Sequence, residues 1–297
     1  MRLASVSKAY SGAVALALVS SGRLSLSDTI GKWLPSLPGA WSKITLRQLL
    51  NHTSRIPDFS KQKAFAEALL ANLQNPPPPA DLLSYAETLP LLPRHGSNYS
   101  YSNSDNIIVG LMVEAATGTS YEDELMSNVL VPLGLSHTTL PSDSTIPPPF
   151  VHGYDLTPHT PPEDVSSLFA AGWTWAAGAV VATPTDTSRF IRAYAAGRLI
   201  NKSTRDAQFR FIPGNSEPPG PGINEAGLAL FRYTTPCGTV YGHTGNTAGY
   251  TQFAAANRDG SRSVTVSASA QITPTTNSAL FGQLRNIDEL AVCAALS

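Results

Sequence analysis

Ser5-Val6-Ser7-Lys8 places a serine and a lysine three residues apart. On a helix such positions share a face, so a hydroxyl and an amine can meet. A serine is a poor nucleophile until a base takes its proton. A lysine can be that base only if burial lowers its pKa enough to leave it neutral. The spacing alone is common: Ser60-Lys61-Gln62-Lys63 repeats it. Taken singly, either copy reads as a Ser/Lys pair on a helix surface. Tyr101-Ser102-Asn103 follows Gly96 and precedes a helical run. Tyr101 could relay a proton and Asn103 could hold a substrate amide. The same residues also read as a turn with a helix cap. His243-Thr244-Gly245 ends a predicted strand and precedes Asn246. A strand edge beside a cleft offers backbone N–H groups and Thr244 to a substrate, and Gly245 admits another backbone closely. An ordinary strand end with a satisfied histidine reads equally well. The six histidines are scattered, with no HExxH pair, and there is no phosphate-binding glycine loop or dinucleotide fingerprint.

The elements that must position these groups change along the chain. Ser5 to Val19 reads as a helix stopped near Gly22. Arg2 and Lys8 before the apolar Ala13–Val19 stretch also resemble a weak signal peptide. Ile44–Leu50 is helical in spacing with Thr45 as N-cap. Phe59–Leu73 is amphipathic and ends at Pro76–Pro79, a stiff connector. Further helices are predicted over Ser104–Thr117, closed by Gly118, over Tyr121–Leu130, and from a cap at Thr183 or Thr185 to Ala196. The last third reads as strands at Gly227–Tyr233, Thr239–Gly242, Tyr250–Asn257 and Ser261–Ala270. Asn257-Arg258-Asp259-Gly260 makes a hairpin turn between the last two. Val264, Val266 and Ala268 alternate with Thr265, Ser267 and Ser269, as on a half-buried strand. A final helix is predicted over about Thr276–Ala295. This order suggests α+β packing in two lobes.

Composition narrows the function classes. Net charge is −1 over 297 residues, so no overall field favours nucleic acid or an anionic membrane. Hydrophobic residues make up 42%, enough for a sizeable core. No apolar run reaches the ~18 residues of a membrane span. Two cysteines, Cys237 and Cys293, are too few for a disulfide-rich miniprotein or a four-cysteine zinc site.

Taken together, S-V-S-K, Y-S-N and H-T-G stand in the order of the penicillin-recognising serine enzymes. The chain resembles the secreted serine D-Ala-D-Ala carboxypeptidases, in the branch shared with class C β-lactamases and related esterases and aminopeptidases. The stretch Val19–Asp28, Ile44–Ser54 (ITLRQLLNHTS), Gly96–Asn103 and Tyr241–Tyr250 (YGHTGNTAGY) carry the resemblance further. Histidine in place of the motif lysine favours the carboxypeptidases over β-lactamases proper. The resemblance implies a β-lactamase/transpeptidase-like α+β fold forming one catalytic domain over 1–297. Its helix-rich lobe would span about 9–170 and its α/β lobe about 171–297, with the 5–19 nucleophile helix between them. That helix would then be buried rather than a cleaved leader.

The resemblance also implies roles. Ser5 is the nucleophile, Lys8 its base, and Tyr101, with His243, relays a proton to the leaving amine. Backbone N–H groups of Ser5 and Asn246 form the oxyanion hole. Asn103, Thr244 and Gly245 orient the substrate, and Trp173 lines the cleft wall. Cys237 and Cys293 match the positions of a family disulfide, which implies an extracytoplasmic setting. No metal or cofactor is needed. The expected partners are a peptidoglycan-type peptide or other small substrate, and β-lactams, with no nucleic acid and no membrane span. The expected state is a monomer. Members of the family carry several tens of residues before S-x-x-K, including the first strands of the sheet. This chain starts four residues before Ser5, so the resemblance implies that an N-terminal segment with its signal is missing. An esterase or D-aminopeptidase of the same family, or an inactive truncated relative, are the alternatives.

Three departures stand out. Arg55 replaces a glycine, which is costly if the position needs φ > 0. The carboxylate-binding arginine of the carboxypeptidases aligns with Phe231. Arg232 beside it can substitute only if the strand slips or bulges. Asn246 replaces a threonine or serine.

Overall fold

In a computed structural model, residues 1–156, 161–275 and 277–297 are described. The predicted start of the last helix, Thr276, lies outside them. A six-stranded antiparallel meander forms the sheet: β1 (Ile212–Pro213), β2 (Ile223–Ala226), β3 (Phe231–Thr235), β4 (Gly238–Thr247), β5 (Tyr250–Ala256) and β6 (Ser263–Ala268). Each pairs with its neighbours in sequence, so the spatial order is the chain order. The helices that bear on the site are α1 (Ser7–Ser20), α2 (Leu46–Leu50), α3 (Lys63–Ala71), α4 (Asn103–Thr117), α5 (Pro184–Ala195) and α6 (Ser278–Leu296). Helix α5 packs on β5 and β6, while α6 packs on β6 and β4. Strand β5 is buried along its whole length. Phe253 and Ala255 join an apolar cluster with Val292 of α6, while Ala254 and Ala256 join the core of the helical part. A strand covered on both faces reads as an apolar run, and β5 does over Phe253–Ala256, while Thr251 and Gln252 before it are buried polar residues. No described helix is long and apolar enough to cross a membrane.

Local chemistry accounts for the element ends. Thr45 caps α2 in a reciprocal box with Gln48. Thr183 caps α5 ahead of Pro184 at its first position. Gly118 closes α4 in the left-handed conformation. The hairpin between β5 and β6 forms at 257–260, where the Gly260 N–H donates to Asn257 O.

The structure differs from the sequence reading in several places. The segment that carries Ser5 is a 3-10 turn, Ala4–Val6, feeding α1. The Phe59–Leu73 run is split into a 3-10 turn, Phe59–Lys61, and α3. The Tyr121–Leu130 run is helical to Leu125 and then winds into a π-helical turn. Of the strand expected over Gly227–Tyr233, only Phe231–Tyr233 is strand, and 227–230 is the turn that joins β2 to β3. Ala229 there adopts φ 49°, and the Gly227 N–H donates to Leu230 O. The strand expected at Thr239–Gly242 continues through the H-T-G motif to Thr247.

Candidate active site

Helix α1 is buried almost all round, including its polar residues Ser7, Lys8 and Ser11. Such a helix must lie in the interior. The residues before it are held firmly. The buried Arg2 guanidinium donates to the carbonyls of Ser144, Ser166 and Phe169, each at 3.1 Å. The Leu3 N–H donates to Val180 O at 2.9 Å. Ser5 therefore sits on a fixed turn at the mouth of a buried helix. Strand β4 runs against this turn. A Cβ at Gly245 would collide with Leu3 O and crowd the Ser5 amide nitrogen. The glycine of H-T-G thus permits the close approach of the strand to the Ser5 turn.

Lys8 Nζ lies 3.0 Å from Ser5 Oγ. It also donates to Asn103 Oδ1 at 2.6 Å and to Ala177 O at 2.8 Å. Burial, opposed chiefly by Asp58 and Glu217, brings its pKa down to about 7. A neutral amine has two N–H bonds and one lone pair. The two carbonyl acceptors take the N–H bonds, which aims the lone pair at Ser5. Asn103 is oriented in turn, its amide donating to Asp58 Oδ2 at 3.0 Å and Ser60 Oγ at 2.9 Å. The second S-x-x-K is different in kind. Ser60 Oγ donates to Asp58, and Lys63 pairs with Glu67 in solvent.

Tyr101 is buried with its ring 5.1 Å from Lys8 Nζ. Burial pushes its phenol well above the usual range, with Ser5 beside it pulling the other way. The phenol therefore stays protonated, and Lys8 is the better base. The Tyr101 ring rests 4.5 Å from that of His52. His52 Nδ1 lies 2.8 Å from Asp105 Oδ2, and Ser54 Oγ donates to Asp105 Oδ1 at 2.5 Å. Burial pushes His52 down and Asp105 up, so both favour the uncharged form. The His52–Ser54 turn also explains Arg55: its φ is 65°, and that of His52 is 56°. Both residues accept a backbone conformation that favours glycine.

His243 is buried, and burial lowers its pKa to about 3. Its Nδ1 lies 2.6 Å from Thr244 O, which fixes the proton on that nitrogen. Nε2 is left an acceptor and has no partner among the described residues, like the Tyr101 hydroxyl.

The cleft at Ser5 holds about 690 Å³. Tyr101, Asn103 and Asn246 also line it, as do Ser60, Lys61 and Glu217. Thr244 does not. Its hydroxyl donates to Pro218 O at 2.6 Å, so it ties down a loop. Trp173, expected on the cleft wall, is buried elsewhere. It packs edge-on to Phe65, and its Nε1 donates to Asn72 O. What the Gly172–Gly178 segment supplies to the site is the Ala177 carbonyl. Phe231 faces inward, its ring 5.0 Å from that of His243. Strand β3 keeps regular register with β4, with Phe231 opposite Gly242 and Arg232 opposite Tyr241. Arg232 therefore stays on the other face, paired with Glu225 and stacked on Phe211. Cys237 and Cys293 form a disulfide that ties α6 to the turn before β4.

The sequence reading missed Asp58, Asp105, Ala177, Lys61 and Glu217. Ala177 acts through its backbone, which no side-chain pattern announces. Asp105 lies in the predicted α4 helix and His52 in the ITLRQLLNHTS stretch, and a spacing of 53 residues gives no sign that the two pair.

The family model described as Beta-lactamase matches residues 1–286. A D-stereospecific amidohydrolase from Streptomyces sp. is 30% identical, with a TM-score of 0.81 over 91% of this chain and 82% of its own. The D-amino acid amidase of Ochrobactrum anthropi SV3 superposes with a TM-score of 0.83 at 23% identity, covering 99% of this chain and 83% of its own. A penicillin-binding protein of Bacillus subtilis (strain 168) is 25% identical over 84% of this chain and 56% of its own length. The chain thus spans little more than half of that relative.

Proposed function

Because the chain belongs to the beta-lactamase family, with its β-lactamase/transpeptidase-like fold, we propose that it hydrolyses amides through an acyl-enzyme on Ser5. The proposed substrates are D-amino-acyl amides. The observation that carries the mechanism is the amine of Lys8, held by Asn103 Oδ1 and Ala177 O and facing Ser5 Oγ.

Ser5 Oγ attacks the substrate carbonyl carbon, and its proton passes to neutral Lys8. The oxyanion forms between the backbone N–H groups of Ser5 and Asn246, where one donor is typically worth ~10²–10³ in rate. The proton then passes from Lys8 by way of the Tyr101 hydroxyl to the leaving nitrogen. The C–N bond breaks, the amine departs, and Ser5 carries the acyl group. Water adds to the ester carbonyl, giving its proton to Lys8. The acyl–Oγ bond breaks, and Ser5 recovers that proton.

Phe231 supports amides over D-Ala-D-Ala peptides. An apolar ring stands where a carboxylate-binding arginine would be needed, and Arg232 is engaged on the opposite face. The amidohydrolase relative supports the same substrate class. A D-Ala-D-Ala carboxypeptidase is the second reading, favoured by the penicillin-binding relative and by the cation Lys61 in the cleft. The Cys237–Cys293 bridge supports action in an oxidising, extracytoplasmic compartment.

The test is turnover of D-phenylalaninamide against a D-Ala-D-Ala-terminated peptide, with labelling by a fluorescent penicillin. We expect the amide to be hydrolysed in preference to the peptide, and Ser5→Ala to abolish both turnover and labelling. Turnover that survives Ser5→Ala would overturn the mechanism. Preference for the peptide would overturn the substrate class.

A further inference from the structure

Glu217 is the acidic residue on the walls of the cleft among the described residues. It enters from the loop between β1 and β2, far in sequence from the three motifs. That loop is tied down on several sides. Thr244 Oγ1 donates to Pro218 O, and Ser216 Oγ lies 2.9 Å from the Tyr233 hydroxyl. The Tyr99 hydroxyl donates to Asn215 O. Arg285 of α6 donates to the Gly220 and Gly222 carbonyls, each at 3.1 Å. A carboxylate on so firmly held a loop is presented in one place.

Its partner is Lys61, 2.9 Å away and also lining the cleft, next to Ser60. Both side chains remain about half exposed, at 52% for Lys61 and 47% for Glu217. An exposed ion pair of this kind is worth only about 0–1 kcal/mol. A substrate cation can therefore displace Lys61 at little cost. The Glu217 charge also reaches the reaction centre, where it raises the pKa of Lys8. A cation settled against Glu217 thus lies in the same cleft as Ser5 and within electrostatic range of Lys8.

We propose that Glu217 binds the free α-ammonium of the substrate, with Lys61 occupying the site until substrate enters. The site then selects unblocked D-amino-acyl groups over N-acylated ones. This rests on the amide-hydrolase reading and names the end of the substrate that the reading left open. Under it, Thr244 of H-T-G serves recognition indirectly, by fixing the loop that carries Glu217.

Calorimetric binding to the Ser5→Ala protein tests this without turnover. The probes are D-phenylalaninamide and N-acetyl-D-phenylalaninamide. A partly screened pair worth ~1 kcal/mol gives about a fivefold preference for the free amine. Adding Glu217→Gln is expected to abolish that preference, and Lys61→Met to enlarge it by removing the competing cation. No preference in Ser5→Ala, no binding of either ligand, or a preference that survives Glu217→Gln would each overturn the proposal. So would a loss of preference in Lys61→Met. The amide-hydrolase reading fails separately, as absence of D-phenylalaninamide turnover by the unsubstituted protein.

Discussion

Lys8 has three polar neighbours, and each is a lever on the reaction. With its pKa near 7, the free-base form grows as pH rises through neutrality. We expect kcat/KM for an amide or ester substrate to rise with an apparent pKa near 7 and to level off above it. Lys8→Arg, which stays charged, should lack this activity across the range. Asn103→Asp sharpens the test. A carboxylate in place of the amide would sit 2.6 Å from Nζ and favour the ammonium. An opposite charge that close moves a pKa by about 1–3 units. The acid limb of kcat/KM should therefore move to higher pH by at least about one unit. An unmoved limb would mean that another group is the base. These residues were legible because the chemistry demands their types: a hydroxyl, an amine and an amide in one order along the chain. What they touch was not. Lys61 and Glu217 meet across 156 residues of sequence. Trp173 was placed on the cleft wall by the family resemblance alone, and an aromatic among small residues carries no sign of which side it packs on.

At the scale of elements, the strand reading was sound where alternation was strong and weak where glycine interrupted it. Val264, Val266 and Ala268 face the clusters beneath α6, as their spacing implies. Gly227 suggested continuity with Phe231, but the chain turns there through Ala229, whose positive φ no propensity scale would favour. The parity of β3 was legible and is decisive, since regular pairing keeps Arg232 away from the site. The disulfide is the other element-level feature. It closes a loop of 56 residues, from the turn before β4 to the end of α6. On the chain-entropy account, a loop of that size contributes about 4 kcal/mol. Replacing both cysteines by alanine should lower Tm by roughly 10 °C, read by thermal denaturation monitored by circular dichroism. The site lies on α1, α4 and the other end of β4. Catalytic constants at 25 °C should accordingly change little while the fold persists. A Tm within about 2 °C of the unsubstituted protein would show that packing of α6 alone holds that end.

Across the whole molecule, burying titratable groups beside one another makes stability depend on pH in a way that distinguishes the site from the scaffold. His52 and His243, both pushed down to about 3, destabilise the fold increasingly as pH falls from about 6.5 toward 3. Two buried carboxyls act oppositely. Asp105 is pushed well above its usual range, and Asp288 rises to about 7 on α6, where its Oδ1 has no partner among the described residues. Their cost grows as pH rises from about 4, so below neutrality the two pairs largely offset one another. Above neutrality Lys8 works against whatever cost Asp105 still adds. The folded pKa of Lys8 is depressed, so between about 7 and 10.5 the unfolded chain binds the extra proton, and its contribution to stability rises with pH. The amino terminus of Met1, lowered by burial, adds in the same direction. Lys8 should therefore contribute a climb in Tm from pH 7 to pH 9.5, before the buried tyrosines begin to oppose it. Lys8→Met should remove most of that climb. The absolute Tm of the variant is a poorer readout. Losing the amine also leaves Asn103 Oδ1 and Ala177 O without a donor, at ~1–3 kcal/mol each. The slope isolates the charge. If Lys8→Met keeps the full climb, Lys8 is not the neutral amine that the mechanism requires. If the slope vanishes in Lys8→Met while the unsubstituted protein shows the pH 7 limb of kcat/KM, one buried lysine accounts for both the reactivity of Ser5 and its cost to the fold.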